Sequence, residues 1–223
     1  METDYLTIRA AGNHDLEIKK SRFIADLGRV ESEAEAQAFI AAITKREPKA
    51  NHHCWAYLIG EHDEIQRESD NGEPSGTAGV PILTVLQRNH LHNTIAVVTR
   101  YFGGIKLGAG GLIRAYSNAT STGIEAVGVV KRVRQRAITL TVDYPNYDRL
   151  NHYLTENGIT ILETLYTAAV TLTIAVDLAA VEATQQAIRD LLSDRLTMVL
   201  GDVDYHEVPV EIHASSRDDV TND

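Results

Sequence analysis

The sequence predicts a two-domain protein of the mixed α+β or α/β class. The chain has 223 residues, more than one small domain needs, and its 43% apolar and 23% charged residues are typical of globular proteins. Its second half also shows the element order β-α-β-β-α-β of a ferredoxin-like domain. We expect a first domain over residues 1–130, a second over 131–213 and a disordered tail over 214–223.

Alternation and helical spacing define the elements of the first half. Ser32 and Glu35 have the spacing of a capping box, which predicts a helix that Pro48 ends. Runs of β-branched and aromatic residues predict strands, and apolar residues three and four apart predict further helices. The strands are expected over residues 5–10, 23–30, 53–60, 64–68 and 94–102, and the other helices over 82–89 and 112–127.

The second half has a cleaner pattern. The period-two segment that follows residue 136 predicts a strand, and the next segment has helical spacing up to the Asn157-Gly158 cap. Two consecutive strands, an amphipathic helix and a last strand interrupted near Gly201 complete the unit. The strands are expected over residues 137–144, 159–166, 169–176 and 199–210, and the helices over 145–156 and 181–192.

The net charge of −10 is unevenly distributed. The formal net charge is −6 for residues 1–87 and −11 for residues 137–223, whereas it is +7 for residues 88–136. Such a block attracts an anion locally because screening limits interactions to about 10 Å. Alternatively, its cations pair with the acidic segments in the fold.

The chain has one cysteine, which excludes an internal disulfide. Its N-terminus lacks the features of a signal peptide, and no apolar run approaches the roughly 18–20 residues that span a bilayer. We therefore expect a cytoplasmic protein without membrane contact.

Residues 103–111, GGIKLGAGG, form the strongest candidate site. A strand entering a glycine-rich turn that opens a helix presents free amides and the positive end of the helix dipole to an anion. Gly103 and Gly108 have the P-loop spacing, but Ala109 follows where that motif requires lysine, and the dinucleotide-binding motif is also incomplete. No cofactor is therefore expected. The alternative is a loop whose glycines only provide positive φ. The candidate anion-binding residues are Arg100, Gly103, Gly104, Lys106, Gly108, Gly110, Gly111 and Arg114.

Residues 70–81, DNGEPSGTAGVP, form a second candidate. Polar groups on a constrained loop are typical of functional sites, although a plain turn with side-chain hydrogen bonds explains the same residues. The loop candidates are Asp70, Glu73, Ser75 and Thr77.

His52 and Cys54 are weaker catalytic candidates. Strand alternation places both on one face and His53 on the other, so at most two of the three converge and no metal site is expected. A histidine beside a cysteine can form a nucleophilic pair, but a buried cysteine usually acts as a small apolar residue.

The segment KRVRQR lies at the junction of the halves. In an extended conformation Arg132, Arg134 and Arg136 share one face at about 6.5–7 Å spacing, which suits phosphates. The opposing anion is nucleic acid or the acidic second half itself.

Four segments carry a family resemblance: Lys20–Phe23 (KSRF), His52–Tyr57 (HHCWAY), residues 72–79 (GEPSGTAG) with Pro81, and residues 100–112 (RYFGGIKLGAGGL). They resemble the IMPACT/YigZ (UPF0029) family, two-domain bacterial type. The resemblance implies an N-terminal domain of the ribosomal protein S5 domain 2-like class and a ferredoxin-like C-terminal domain similar to the last domain of elongation factor G. Where the family's first loop usually has a second acidic residue and a lysine, this chain has Asn71 and Val80.

We therefore expect a non-catalytic binding protein linked to translation through RNA or a ribosome-associated partner. The alternative is a hydrolase acting on a small anionic substrate between the loops 70–81 and 103–111, with Glu73 as acid or base. A third possibility is a protein-interaction module, in which the acidic second half binds a basic protein partner.

Overall fold

The computed structural model describes residues 4–210, which form two compact units. The first comprises residues 4–131 with 208–210, and the second comprises residues 132–207. Both combine helices with β-strands, so the predicted two-domain mixed class is confirmed. The segment 214–223 lies outside the described residues. No helix within residues 4–210 is both long and apolar enough to cross a bilayer.

The first unit is a five-stranded sheet with helices on both faces, preceded by a short strand. The sheet order is β2-β3-β6-β4-β5, and neighbouring strands are antiparallel. Its elements are β1 (Tyr5–Ile8), β2 (Gly12–Ile18), β3 (Ser21–Arg29), α1 (Glu33–Arg46), β4 (His52–Ile59), β5 (Ile65–Ser69), α2 (Gly79–Arg88), β6 (Thr94–Tyr101) and α3 (Ala109–Val127).

The helices divide between the two faces of this sheet. Helix α1 packs with Ile43 against Tyr57 and Ile95, whereas α2 and α3 cover the opposite face. Because both faces are covered, nearly every residue of β6 is buried. The register places His52 opposite Arg100, so the start of β4 and the end of β6 meet at one end of the sheet.

Local hydrogen bonds explain where the helices begin. The Ser32 hydroxyl accepts from the Glu35 amide, as the capping box predicts, but the Glu35 carboxylate accepts from the amide of Glu31. Helix α2 begins at Gly79, three residues before the predicted start, because Pro81 fits a first helical turn. Helix α3 likewise begins at Ala109, where two glycines hide the helical pattern.

The second unit has the predicted β-α-β-β-α-β order, with sheet order β10-β7-β9-β8. Its apolar core lies between the sheet and the two helices. The first strand is longer than predicted because it starts before the arginine-rich segment. The elements are β7 (Val129–Val142), α4 (Tyr144–Glu156), β8 (Thr160–Tyr166), β9 (Val170–Asp177), α5 (Val181–Leu192) and β10 (Thr197–Pro209).

Candidate functional site

The loop between β5 and α2 is organised by Asp70. One carboxylate oxygen accepts from the amides of Ala78 and Gly79, each at 2.9 Å, and the other accepts from Gly76 at 2.7 Å. Burial of Asp70 raises its pKa, but the backbone hydrogen bonds outweigh burial and leave the pKa below its ordinary value. Asp70 therefore holds the loop closed, as the plain-turn interpretation predicts, and is not free to face a ligand.

Other residues of this loop also serve its shape. The Thr77 hydroxyl is buried and donates to the Pro74 carbonyl at 2.6 Å. Asn71 has a left-handed backbone (φ 41°), which asparagine tolerates, and its side-chain oxygen accepts from the His53 amide at 2.8 Å. Ser75 is exposed, and Val80 places an apolar side chain that is 47% exposed in the first turn of α2.

A buried polar network connects this loop to β6 and α3. One oxygen of Glu73 accepts from Arg100 at 2.6 Å and from the Tyr116 hydroxyl at 2.8 Å. The Arg100 and Glu73 side chains are only 6% and 4% exposed. Arg100 also donates to the Ser21 hydroxyl at 3.3 Å, while its Nε is buried and has no hydrogen-bond partner among residues 4–210. The network fixes the end of β6 against the loop.

This network corrects the expectation that Arg100 supplies an accessible charge. Its guanidinium is neutralised by Glu73 and lies 5.4 Å from the Phe23 ring and 5.6 Å from the Phe102 ring. The ion pair forms within the first unit and does not involve the acidic second half.

The same network accounts for the catalytic candidates. Cys54 is fully buried, its Sγ lies 3.0 Å from the Asp70 carbonyl oxygen and 3.3 Å from the Tyr116 hydroxyl, and burial raises the pKa of the thiol to about 12. The thiol is therefore not an activated nucleophile. His52 Nδ1 lies 2.9 Å from the Asn71 carbonyl oxygen, so this nitrogen carries the proton, and Nε2 lies 3.9 Å from Glu73.

The alternation predicted for this strand is present. His52 and Cys54 face the Asp70 loop, whereas His53 Nδ1 lies 3.1 Å from the Thr99 hydroxyl. Burial lowers the pKa of His53. Glu73 and Asp70 are already engaged by protein donors, so neither carboxylate is a free acid or base for the predicted hydrolytic cleft.

The glycines of residues 103–111 have different roles. A Cβ on Gly103 would overlap the backbone of Lys20, so this glycine allows close packing. Gly104 (φ 84°) and Gly108 (φ 71°) have left-handed backbones that favour glycine. Gly111 leaves space for Leu107, whose Cβ would lie 3.0 Å from an added Cβ.

At position 110, neither close packing nor a left-handed backbone requires a glycine. Gly110 lies in the first turn of α3, is exposed, and an added Cβ would meet only the Arg114 guanidinium at 3.7 Å. Within residues 4–210, nothing accepts a hydrogen bond from the amides of Ala109, Gly110 or Gly111, and Gly108 provides no side-chain cap. The helix start therefore presents free donors to solvent.

Of these three residues, Ala109 borders an open depression of about 370 Å³. Lys106 is exposed at its edge and forms no ion pair within the described part of the chain. Phe102 is 46% exposed and its amide donates to the Asn51 side chain at 2.8 Å, which anchors the backbone at this residue. The depression is lined by Glu73, Pro74, Arg100, Phe102, Lys106, Leu107, Gly108, Ala109 and Leu112.

The sequence alone does not show which aromatic residues near this loop are exposed: Tyr116 is fully buried, Tyr101 is partly buried and Phe102 is 46% exposed. The usable signal is its position directly after β6 and before two glycines, where strand alternation no longer buries alternate side chains. The other predicted cation of this loop, Arg114, is exposed one turn along α3.

The arginine ladder belongs to the second unit. Arg132, Arg134 and Arg136 lie in the extended strand β7 and are each half-buried. The Arg132 guanidinium lies 5.0 Å from the Tyr205 ring centre, and Arg136 donates to the Gly201 carbonyl at 2.9 Å. These two contacts anchor the guanidinium groups to β10, which reduces the charge available to a phosphate chain.

Comparison with known proteins places this architecture in a family. The Impact N-terminal domain matches residues 19–124, and a domain of unknown function (DUF1949) matches residues 140–195. A solved structure described as that of a hypothetical protein is 30% identical, with a TM-score of 0.58, and covers 91% of this chain and 99% of its own.

Three relatives carry the family name. The IMPACT family member YvyE of Bacillus subtilis is 44% identical over 92% of this chain and 95% of its own length. YigZ of Escherichia coli is 36% identical over 74% of this chain and 82% of its own length. A Dictyostelium discoideum protein named IMPACT homolog is 38% identical over 40% of this chain and 27% of its own length. The Impact N-terminal domain matches the first half of the chain, DUF1949 matches the second half, and the relative YvyE is similar over most of the chain. The chain therefore belongs to the IMPACT family.

Proposed function

We propose that the protein is a non-catalytic, cytoplasmic RNA-binding protein linked to translation, which holds a phosphate group of single-stranded RNA, free or exposed on the ribosome, at the start of α3. One observation carries this proposal: Ala109, the first residue of α3 with a free amide, borders the same open depression as Lys106 and the exposed Phe102 ring. Fixed amides at a helix N-terminus bind phosphate, and a nearby lysine adds a full positive charge.

The apolar side of the depression supports a nucleotide over an inorganic anion. Phe102 offers a half-exposed ring, and aromatic side chains contribute about 1–3 kcal/mol per stacked base in single-strand-binding proteins. The guanidinium of the buried Arg100–Glu73 pair lies over one face of this ring, 5.6 Å from its centre. The site therefore combines a phosphate donor set with a stacking surface.

A binding titration tests this function. A fluorescent single-stranded RNA octamer is expected to bind the full chain with an affinity that falls steeply with salt. The reason is that the lysine and arginine side chains of the protein displace counterions from the RNA phosphates. Lys106→Ala should weaken binding about tenfold and reduce the log–log salt slope by about 0.7, the value for one phosphate on a single strand. Phe102→Ala should weaken binding by a similar or larger factor.

Lys45→Ala is the matched control for this titration. Lys45 is an exposed lysine on α1, on the opposite face of the sheet, and its removal should leave the affinity within twofold. Absence of RNA binding at low salt, or equal losses for Lys106→Ala and Lys45→Ala, would remove the proposal.

Gly110→Ala separates a functional from a structural role of the glycine. Alanine in an exposed helical position should stabilise the domain by up to about 1 kcal/mol, because glycine is the poorer helix former. The added methyl group lies where a phosphate approaches the amides, so RNA affinity should fall several-fold. Urea unfolding and the RNA titration measure the two effects; a variant that gains stability and keeps full affinity would contradict the site.

A further inference from the structure

A second basic surface lies beside the depression at α3. The hairpin of β2 and β3 turns through Lys19 and Lys20, since Ile18 pairs directly with Ser21. Both lysines are exposed and have left-handed backbones, with φ of 47° and 65°. Two-residue turns of this kind favour asparagine followed by glycine, so two lysines are a poor choice for hairpin stability.

The structure fixes this hairpin against the glycine-rich loop. Gly103 packs on the Lys20 carbonyl, and its amide donates to the Ser21 hydroxyl at 3.2 Å. Ser21 also accepts from the buried Arg100. The two lysines are therefore held at a defined position next to α3 and not on an independent arm.

A second depression, of about 380 Å³, lies between the hairpin and α3. Lys19 and Arg114 contribute cations, while Ile18, Leu107 and Gly111 form its floor and walls. Leu107 also lines the first depression, so the two are neighbours. Within residues 4–210, none of Lys19, Lys20, Lys106 and Arg114 forms an ion pair, and the nearby Asp15 is neutralised by Arg22.

We propose that the hairpin lysines and Arg114 form a second phosphate site, so that a single-stranded RNA bound at α3 continues across Leu107 to the hairpin. This inference rests on the proposed function, because the first phosphate lies at α3. Lys106 lines the first depression and Lys19 and Arg114 line the second, so unpaired cations border both depressions on either side of Leu107, as the successive phosphates of a single strand require. Lys19 and Lys20 place two positive charges at the turn, where asparagine and glycine would give a more stable hairpin.

The variant Lys19→Asn/Lys20→Gly tests the second site, because it installs the preferred turn residues and removes both charges. We expect the melting temperature to rise. Affinity for the RNA octamer should fall about tenfold and the salt slope by about 1.4, whereas affinity for a mononucleotide should not change. Arg114→Gln should likewise lower the affinity for the octamer and leave the affinity for a mononucleotide unchanged.

Lys45→Asn/Arg88→Asn is the control, with the same change of charge on α1 and at the end of α2. It should retain octamer binding within twofold. The second site is overturned if Lys19→Asn/Lys20→Gly binds the octamer as tightly as the wild type while Lys106→Ala does not. If the wild type binds no RNA, the proposed function fails and this inference fails with it.

Discussion

Replacing Glu73 with alanine is expected to destabilise the first domain by about 3–5 kcal/mol. The change leaves the Arg100 guanidinium buried without its carboxylate and removes the acceptor of the Tyr116 hydroxyl. Breaking a buried ion pair from one side is costly because the remaining charge is not solvated. Trp55, the only tryptophan, lies in β4 and reports unfolding of this domain by its fluorescence in urea.

A double variant shows whether charge is the cause. Glu73→Leu with Arg100→Met removes both charges and should be less destabilised than Glu73→Ala, because no unpaired charge remains. Glu17→Ala, at an exposed position of β2, should change the free energy of unfolding by less than about 0.5 kcal/mol. A loss below about 1 kcal/mol for Glu73→Ala would show that the ion pair does not hold the loop.

Asp70→Asn is expected to cost about 2–4 kcal/mol at neutral pH. Three backbone amides lose a charged acceptor, and hydrogen bonds to charged groups contribute about 1.5–3 kcal/mol each without adding fully. Because α2 begins at Gly79, the variant should also loosen the start of this helix.

The pH dependence of this effect has a definite sign. The pKa of Asp70 is lower in the folded state, so its contribution to stability is complete above the unfolded value of about 3.9. It is lost as the pH falls through the folded pKa. The difference in unfolding free energy between the wild type and Asp70→Asn should therefore be largest at pH 7 and narrow in acid. A difference that grows in acid would contradict the assignment.

Local patterns were sufficient to predict much of the fold. The second domain follows from period-two strands and two amphipathic helices, and α5 has the predicted bounds. Strand β2 was not predicted, because lysines occupy its turn where asparagine and glycine would have indicated a hairpin.

The candidate site was only partly predictable. The glycine-rich loop lies at the start of α3, as its composition indicated, because glycine and helix signals are local. The partner of Arg100 was not predictable, since Glu73 reaches it only through the register of β4 with β6 and the fold of the loop. Distinguishing Lys106 from Arg100 required the burial of each side chain.

The amide resonances of Ala109, Gly110 and Gly111 test the central claim most directly. In an NMR titration of the isotope-labelled full chain with a short single-stranded RNA, these three amides should show the largest shifts. Half-saturation of these shifts should need about ten times more RNA in Lys106→Ala and the same RNA concentration as the wild type in Lys45→Ala. RNA binding that leaves these amides unchanged, with shifts confined to residues 132–207, would contradict the account.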